Sequence, residues 1–327
     1  MSQDVLLAGS TSVAVGKARA KLRSVDDAEW ATLERQVSFP HMTQTRPYGD
    51  AKAVGRWHVN RYAIELDGTP LAIVTALSVR VAGIALVTRI NRGPIFLVKS
   101  PTTQQMRQVF GAIRRRWQFL FRGALLIAPN LERNEDSRAL LKSLGFRQKA
   151  ERTWGSGRID LRRSADEIWA GFDPKFRNHA RKAEKVGATL SVSADDASFE
   201  WILKRHQENM QEKNFAGTDP AFLRRLREQA GSENLLVFKL SHEGEPVSGG
   251  IVYRFGSAAE YYVGWVGQAG RNIAAGNHML WRMALEMKAR GCDALDVGGM
   301  SGNEKYSQFK FGTNPTQFDL AGEWLAF

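Results

Sequence analysis

Two stretches of the chain carry the same pattern of apolar and polar residues around a short turn. In the first, the apolar runs 62–66 and 71–77 flank Asp67-Gly68, and in the second, the runs 235–240 and 247–255 flank Glu243-Gly244. An acidic residue followed by glycine between β-rich runs is a tight-turn signal, because glycine adopts positive φ without steric cost. Each stretch therefore predicts a β-hairpin.

After each hairpin comes another predicted strand, and then the 3.6-residue period of an amphipathic helix. The apolar positions of the first helix are Met106, Val109, Phe110, Ile113, Trp117, Leu120 and Phe121, and those of the second are Met279, Leu280, Met283, Ala284 and Met287. Buried strands are predicted next, over 124–128 and 294–297, and each half then reaches a glycine–phenylalanine pair, Gly145-Phe146 or Phe311-Gly312. The repeated order predicts two tandem α+β domains. Residues 1–20 are expected to form a flexible tail, 21–155 the first domain and 156–327 the second.

A helical insertion is predicted in the second domain, over about 165–230. Asp173 can cap a helix that starts at Pro174, where proline loses no hydrogen bond, and that runs to Lys185 before Gly187. Arg177, Arg181 and Lys185 follow at four-residue steps and form a cationic stripe. The stripe is either a solvated basic face or a phosphate-binding surface. A second helix of the insertion ends in the loop Lys213-Asn214-Phe215.

Amino-acid composition indicates where the protein is located and what kind of partner it binds. The 327 residues are 43% hydrophobic and contain no apolar run near the roughly 18 residues of a membrane span. The N-terminus lacks the basic start of a signal peptide, so a cytoplasmic location is the default expectation. The net charge of +12 favours a polyanionic partner such as nucleic acid, although an ordinary surface from an arginine-rich proteome is the alternative.

Metal and thiol chemistry are disfavoured by the residues present. The six histidines are scattered without metal-ligand spacing, and the single cysteine, Cys292, lies between a helix end and a buried strand, which is typical of a structural thiol. The segment 270–277 is rich in small residues and opens a helix, where backbone N–H groups can approach an anion. Lys310 stands between two phenylalanines, so it either extends from a packed element to solvent or presents a fixed cation to a developing oxyanion.

The second half also resembles a known family, the Fem transferases (FemABX). The resemblance rests on Tyr261–Gly264, Ala274–Trp281, Gly291–Gly299 and Phe309–Gly312, with further matches at Arg92-Gly93-Pro94 and Arg177–Lys185. It covers most of the chain from about Phe39 onward. Fem transferases are aminoacyl-tRNA-dependent peptidyltransferases built from two domains of the acetyltransferase (GNAT) type, and the resemblance implies the same fold here.

The resemblance also implies roles for particular residues. Lys310 matches the lysine that stabilises the tetrahedral intermediate. The expected acceptor-binding residues are Gln44, Lys213, Phe215, Tyr261 and Tyr262, and those expected to hold tRNA or other phosphates are Arg177, Arg181, Lys185, Arg271 and Asn277. Aminoacyl-tRNA would be a co-substrate, with no further cofactor, and the acceptor would be the amine of a peptidoglycan precursor or peptide.

The chain departs from the family pattern in two ways: lysine replaces the usual arginine at 213, and no coiled-coil arm is present. Lysine cannot form the bidentate phosphate contact of arginine, which leaves a nucleotide-linked acceptor open. Two other functions remain. One is an acyl-CoA-dependent N-acyltransferase, although Arg271–Gly276 is one residue out of the usual CoA-binding pattern; the other is a non-catalytic basic binding module. Because the duplication already supplies a partner domain, a monomer is expected.

Overall fold

The computed structural model describes residues 19–117, 123–151, 154–299 and 304–327. The expected tail therefore lies almost entirely outside the described residues, as do Leu120 and Phe121 of the predicted first helix. No helix among the described residues is long and apolar enough to cross a membrane.

The first part of the chain forms a mixed sheet with helices packed on it. Its elements are β1 (Lys21–Ser24), α1 (Asp27–Glu34), a 3-10 turn (Met42–Gln44), α2 (Arg46–Lys52), β2 (Trp57–Leu66), β3 (Thr69–Val81), β4 (Ile84–Asn91), β5 (Ile95–Phe96), α3 (Thr103–Arg116), β6 (Ala124–Ala128), α4 (Glu135–Ser143) and β7 (Arg147–Ala150).

The second part repeats the arrangement with more helices before its hairpin. Its elements are β8 (Gly155–Asp160), α5 (Ala165–Gly171), α6 (Pro174–Lys185), β9 (Thr189–Ser193), α7 (Asp196–Glu212), α8 (Pro220–Ala230), a 3-10 turn (Ser232–Asn234), β10 (Leu235–His242), β11 (Glu245–Phe255), β12 (Ala258–Val266), α9 (Gln268–Asn272), α10 (Ala275–Ala289), β13 (Ala294–Asp296), α11 (Glu304–Phe311), β14 (Thr316–Asp319) and β15 (Glu323–Ala326).

The two predicted hairpins are present. β2 pairs with β3 and β10 with β11, both antiparallel. Both turns have positive φ, with values of 50° at Asp67 and 77° at Gly68, and of 53° at Glu243 and 81° at Gly244. The predicted hairpins and the predicted α+β fold class are confirmed.

The last two strands belong to different sheets, β14 to the second and β15 to the first. The first sheet has the order β1-β2-β3-β4-β6-β15-β7, with β5 added beside β3, and the second has the order β14-β8-β13-β12-β11-β10-β9. β15 therefore returns to the first sheet, where the fully buried ring of Trp324 joins the core formed with α3. The last strand of the chain thus ties the second half to the first.

Each sheet contains one parallel pair, β4 with β6 and β12 with β13. The connections between these strands carry the long helices α3 and α10, whose apolar faces cover the sheets. Because the two strands of a parallel pair run towards the same edge of their sheet, the residues after β4 lie beside those after β6, and the residues after β13 lie beside the later part of β12. These strand ends hold the charged side chains described next.

Candidate active site

Three charged side chains lie in one row across the second sheet. The Cα partners are Glu260 and Asp296 on β12 and β13, and Asp296 and Arg158 on β13 and β8. Directly paired residues point to the same face of a sheet. Glu260 is 2% and Asp296 6% exposed, so two carboxylates lie side by side away from water. Such a pair needs nearby cations.

Arg92 supplies one cation from the first domain. It follows β4 with a positive φ of 50°, and its Nη1 donates to Glu260 Oε2 at 3.3 Å. Its guanidinium also lies 3.9 Å from the centre of the Trp154 ring. Because Glu260 belongs to β12, this buried ion pair joins the two sheets.

Lys310 supplies a second cation from α11. Its side chain is 2% exposed, its Nζ donates to the Gly299 carbonyl at 3.0 Å, and it lies 5.7 Å from the centre of the Tyr261 ring. Burial lowers the pKa of Lys310 to about 8, and the Asp296 and Glu260 carboxylates act in the opposite direction. Lys310 is therefore a desolvated cation that remains mostly protonated at neutral pH.

The two carboxylates have different surroundings. Burial raises the pKa of Glu260, and the Asp296 charge adds to that effect, whereas Arg92 and Lys310 oppose it. Asp296 accepts hydrogen bonds from the Ser156 hydroxyl and, at 2.8 Å, from the Gly298 N–H. Asp296 thus fixes the turn at Gly298-Gly299, and the Gly299 carbonyl in this turn accepts the hydrogen bond from Lys310 Nζ.

Arg158 faces a neutral histidine. Its Nη2 donates to His41 Nε2 at 3.0 Å, and the His41 ring is 3% exposed. Burial lowers the pKa of His41 well below its usual range, and the charges of Arg158 and Arg92 lower it further. His41 therefore accepts a hydrogen bond here and adds no positive charge to the site.

The predicted acceptor residues Gln44, Tyr261 and Tyr262 lie at this junction. The Gln44 amide donates to Asn91 O at 2.7 Å and accepts from Thr75 N at 2.8 Å, so it ties the first 3-10 turn to β3 and β4. Tyr261 is buried against Lys310. Tyr262 is half-buried, and burial raises the pKa of Tyr262 well above its usual value, an effect that the nearby Thr218 side chain opposes.

Lys213 and Phe215 belong to the loop after α7. Lys213 is exposed at the helix end, and Phe215 is 42% exposed with its ring centre 6.4 Å from that of His206. His206 Nε2 lies 3.0 Å from Thr218 O, and the Thr218 side chain is near enough to Tyr262 to lower the pKa of the Tyr262 hydroxyl. The loop therefore meets the site at Tyr262.

The residues of the predicted cationic stripe have unequal contacts. Helix α6 has the predicted bounds and is capped by Asp173. Arg177 donates to Ala170 O at 2.8 Å and so satisfies the end of α5, which is a structural contact. The guanidinium of Arg181 lies 5.2 Å from the Trp169 ring centre, and both Arg181 and Lys185 are exposed. Arg181 and Lys185 are the stripe residues that present charge to solvent.

The glycine-rich segment has a packing explanation. A Cβ on Gly270 would lie 2.2 Å from the Val247 carbonyl, so glycine is required where α9 crosses β11. Arg271 donates to Val266 O at 2.8 Å and to the Gln268 side chain, and Asn277 lies in the first turn of α10. The need for glycine at position 270 is therefore explained by its close contact with a strand and requires no bound anion.

The helices that carry the predicted phosphate contacts nevertheless lie beside the helix of Lys310. The Phe309 ring is 3.6 Å from the position of a Cβ on Gly276, at the start of α10. Its ring centre is 6.1 Å from that of Phe176 on α6, and Asp173 N donates to Gly312 O at 2.8 Å. The starts of α6 and α10 thus surround the end of α11.

Sequence reasoning did not assign roles to Arg92, Arg158, Glu260 or Asp296. The available signal was a single acidic residue inside each of two apolar strands, Glu260 in β12 and Asp296 in β13. Such residues are rarely buried unless they are paired. Cys292 is 5% exposed and burial raises its thiol pKa, as a structural cysteine requires.

Comparison with known proteins identifies the class. Residues 172–308 match the family model described as an acetyltransferase (GNAT) domain, a segment that contains Glu260 and Asp296 and ends just before Lys310. The match supports a GNAT-type domain over residues 172–308, and the predicted acyltransferase class is confirmed. A search of curated proteins finds no match.

Solved structures identify the particular arrangement. FemX matches with a TM-score of 0.75 at 15% identity, over 93% of this chain and 96% of that chain. A tandem GNAT protein from the clavulanic acid biosynthesis pathway matches with a TM-score of 0.55 at 12% identity, over 95% and 98% of the two chains. L-PGS from Bacillus licheniformis matches with a TM-score of 0.51 at 13% identity, over 93% and 92%. The chain thus has the tandem GNAT fold of FemX, as the sequence resemblance implied.

Proposed function

We propose that the protein transfers the aminoacyl group of an aminoacyl-tRNA to an amine of a peptide or peptidoglycan precursor, in the cytoplasm. The observation that carries the proposal is Lys310, a buried cation fixed at the junction of the two domains. The likeness to FemX and the net charge of +12 support an RNA-linked donor.

The reaction needs little more than positioning and charge stabilisation. The acceptor amine attacks the ester carbonyl, and the resulting oxyanion lies beside Lys310. Collapse of this intermediate breaks the ester C–O bond, so that the ribose oxygen gains the proton that the amine loses. Positioning contributes roughly 7–11 kcal/mol and one oxyanion donor about 3–4 kcal/mol. No external acid or base is consumed.

The acceptor occupies the side of the site formed by the first domain and the loop after α7. Tyr261 lies beside Lys310, and Tyr262 follows it on β12. Gln44 bonds the neighbouring backbone, and Lys213 and Phe215 are exposed on the loop. Lys213 offers a single point charge to an anionic acceptor. In this proposal the acceptor amine approaches the donor ester beside Lys310.

The rate of transfer should fall as pH rises through about 8, because Lys310 stabilises the oxyanion only while it is protonated and its pKa is about 8. Lys310→Arg keeps its charge over this range, so its alkaline decline should be absent or shifted to higher pH. The measurement is initial rate against pH for both proteins with one acceptor, after subtraction of spontaneous ester hydrolysis. Declines that coincide in the two proteins would rule out titration of Lys310.

Arg181 and Lys185 are expected to bind tRNA phosphates. The double substitution Arg181→Gln/Lys185→Gln should weaken tRNA binding and reduce the slope of log K against log salt by about 1–2. The matched control is Lys142→Gln/Arg147→Gln, which removes two exposed cations from the first domain. An unchanged slope in the α6 variant, measured by filter binding, would assign the stripe to solubility alone.

One observation favours a second function, acyl-CoA-dependent N-acylation. Residues 172–308 match an acetyltransferase domain, and the tandem GNAT protein of the clavulanic acid pathway shares the fold. Two contacts argue against acyl-CoA binding. Gly270 packs directly on β11, and the Arg271 guanidinium donates hydrogen bonds to Val266 O and to the Gln268 side chain. Because both residues already have contacts within the protein, they are less available to bind the pyrophosphate of CoA.

The proposed donor is tested by incubating the protein with charged tRNA or with acetyl-CoA, each with a lysine-containing peptide and a peptidoglycan precursor as acceptors. We expect amide product only with charged tRNA, and its formation should stop when the tRNA is digested with ribonuclease first. Product from acetyl-CoA alone would replace the proposal with the second function.

A further inference from the structure

Exposed apolar side chains are concentrated at one end of the first sheet. Among the described residues, eight large hydrophobic side chains are exposed, and five of them lie here: Val54 42%, Val81 44%, Ile84 51%, Leu86 54% and Phe327 61%. Scattered exposed apolar residues are normal on a protein surface, whereas a cluster marks a site of interaction. We call this cluster the apolar edge.

Strand pairing shows that these residues share one end. Val81 pairs with Ile84 across a two-residue turn with positive φ at Ala82 and Gly83. Val87 pairs with Ala124, and Ala326 pairs with Leu125, so Phe327 continues towards the same end. Val54 precedes β2, whose first residue pairs with Val79. A tight turn of this kind holds the tip in a defined shape.

The apolar edge is bordered by positive charge. Arg80 N donates to Arg56 O at 3.2 Å, which places two exposed arginines on neighbouring strands beside the tip. In the part of the chain that the structure describes, no ion pair joins either guanidinium to a carboxylate.

We propose that the apolar edge docks on an anionic lipid surface, a property independent of the proposed transfer reaction. Valine, isoleucine and leucine gain by entering the acyl-chain boundary, and arginines beside them are attracted to acidic headgroups. A second copy of the chain would bring like charges together. RNA would satisfy the arginines but offers no apolar phase for the four aliphatic side chains, and within the apolar edge Phe327 alone has a ring on which a base can stack.

The apolar edge lies at the opposite end of β4 from the candidate active site. Ile84 begins the strand and Arg92 follows its last residue, which places the two roughly 26 Å apart at about 3.3 Å per residue. Docking therefore leaves the junction of the two domains away from the lipid surface. Loss of docking should leave transfer to a water-soluble acceptor unchanged.

The test is co-sedimentation of the full chain with vesicles of phosphatidylcholine, with and without phosphatidylglycerol. We expect binding to the mixed vesicles, and Ile84→Ser/Leu86→Ser should reduce it by about tenfold or more. Val186→Ser, which removes a side chain 40% exposed at the end of α6, should bind like the wild type. Arg56→Gln/Arg80→Gln keeps the apolar tip and should reduce only the preference for acidic vesicles.

Three results would overturn the proposal. The first is wild-type protein that stays in the supernatant with both kinds of vesicle. The second is equal binding by the wild type and Ile84→Ser/Leu86→Ser, with unchanged thermal unfolding confirming that the variant is folded. The third is a wild-type dimer that this variant converts to a monomer in light scattering, which would make the apolar edge a contact between copies.

Discussion

Replacing Lys310 with methionine should lower the rate constant for aminoacyl transfer by about 10²–10³-fold, the usual effect of removing one oxyanion-stabilising donor. The dissociation constant of the donor should change little, because the interaction is made in the transition state. Methionine keeps much of the side-chain volume in a position that is 2% exposed, so the fold should persist. Single-turnover transfer from charged tRNA gives the rate constant, and filter binding gives the affinity.

The control for this substitution is Lys142→Met, which removes an exposed lysine from α4. It should leave both quantities unchanged. If Lys310→Met slowed transfer no more than the control does, Lys310 would be a structural lysine that bonds the Gly299 carbonyl and nothing else. If affinity fell in step with rate, Lys310 would be a donor-binding residue.

Replacing Arg92 with methionine should destabilise the protein by about 3–5 kcal/mol, because it leaves a buried carboxylate unpaired. Glu260 is 2% exposed and has Asp296 as its neighbour on β13. Methionine can still pack on Trp154, so the loss is mainly electrostatic. The effect should be smaller near pH 5 than at pH 8, since burial already raises the pKa of Glu260 and its protonated form needs no cation.

Urea unfolding of the full chain at both pH values measures this effect. Arg92→Met/Glu260→Gln removes both charges and should recover much of the lost stability. The exposed pair Arg138–Glu151, at 3.0 Å, is the matched control, and Arg138→Met should cost about 0–1 kcal/mol. A double variant no more stable than Arg92→Met would show that the ion pair is not what joins the sheets.

The local sequence pattern was sufficient to predict most of the helices and strands. The acidic-Gly turns, the amphipathic spacing of α3 and α10, and the Asp173-Pro174 start of α6 each depend on residues close in sequence. The return of β15 to the first sheet did not follow from pattern. A short apolar strand pairs equally well with either sheet, and the choice depends on the core that buries Trp324.

The candidate site was predictable only in part for the same reason. Lys310 was identifiable because a charged residue between two aromatic residues is locally unusual. The row of Glu260, Asp296 and Arg158 depends on the register of three strands distant in sequence. Likewise, four-residue spacing placed Arg177 on the same face as Arg181, but the spacing does not reveal that Arg177 bonds the end of α5. Contacts between elements decide such roles.

The most direct test of the proposed function is a competition in one tube. Equal concentrations of charged tRNA and acetyl-CoA are offered to the protein with one amine acceptor, and the mass of the product is read by mass spectrometry. We expect the mass increase of an aminoacyl residue, and the loss of that product in Lys310→Met. An increase equal to an acetyl group would contradict transfer from aminoacyl-tRNA.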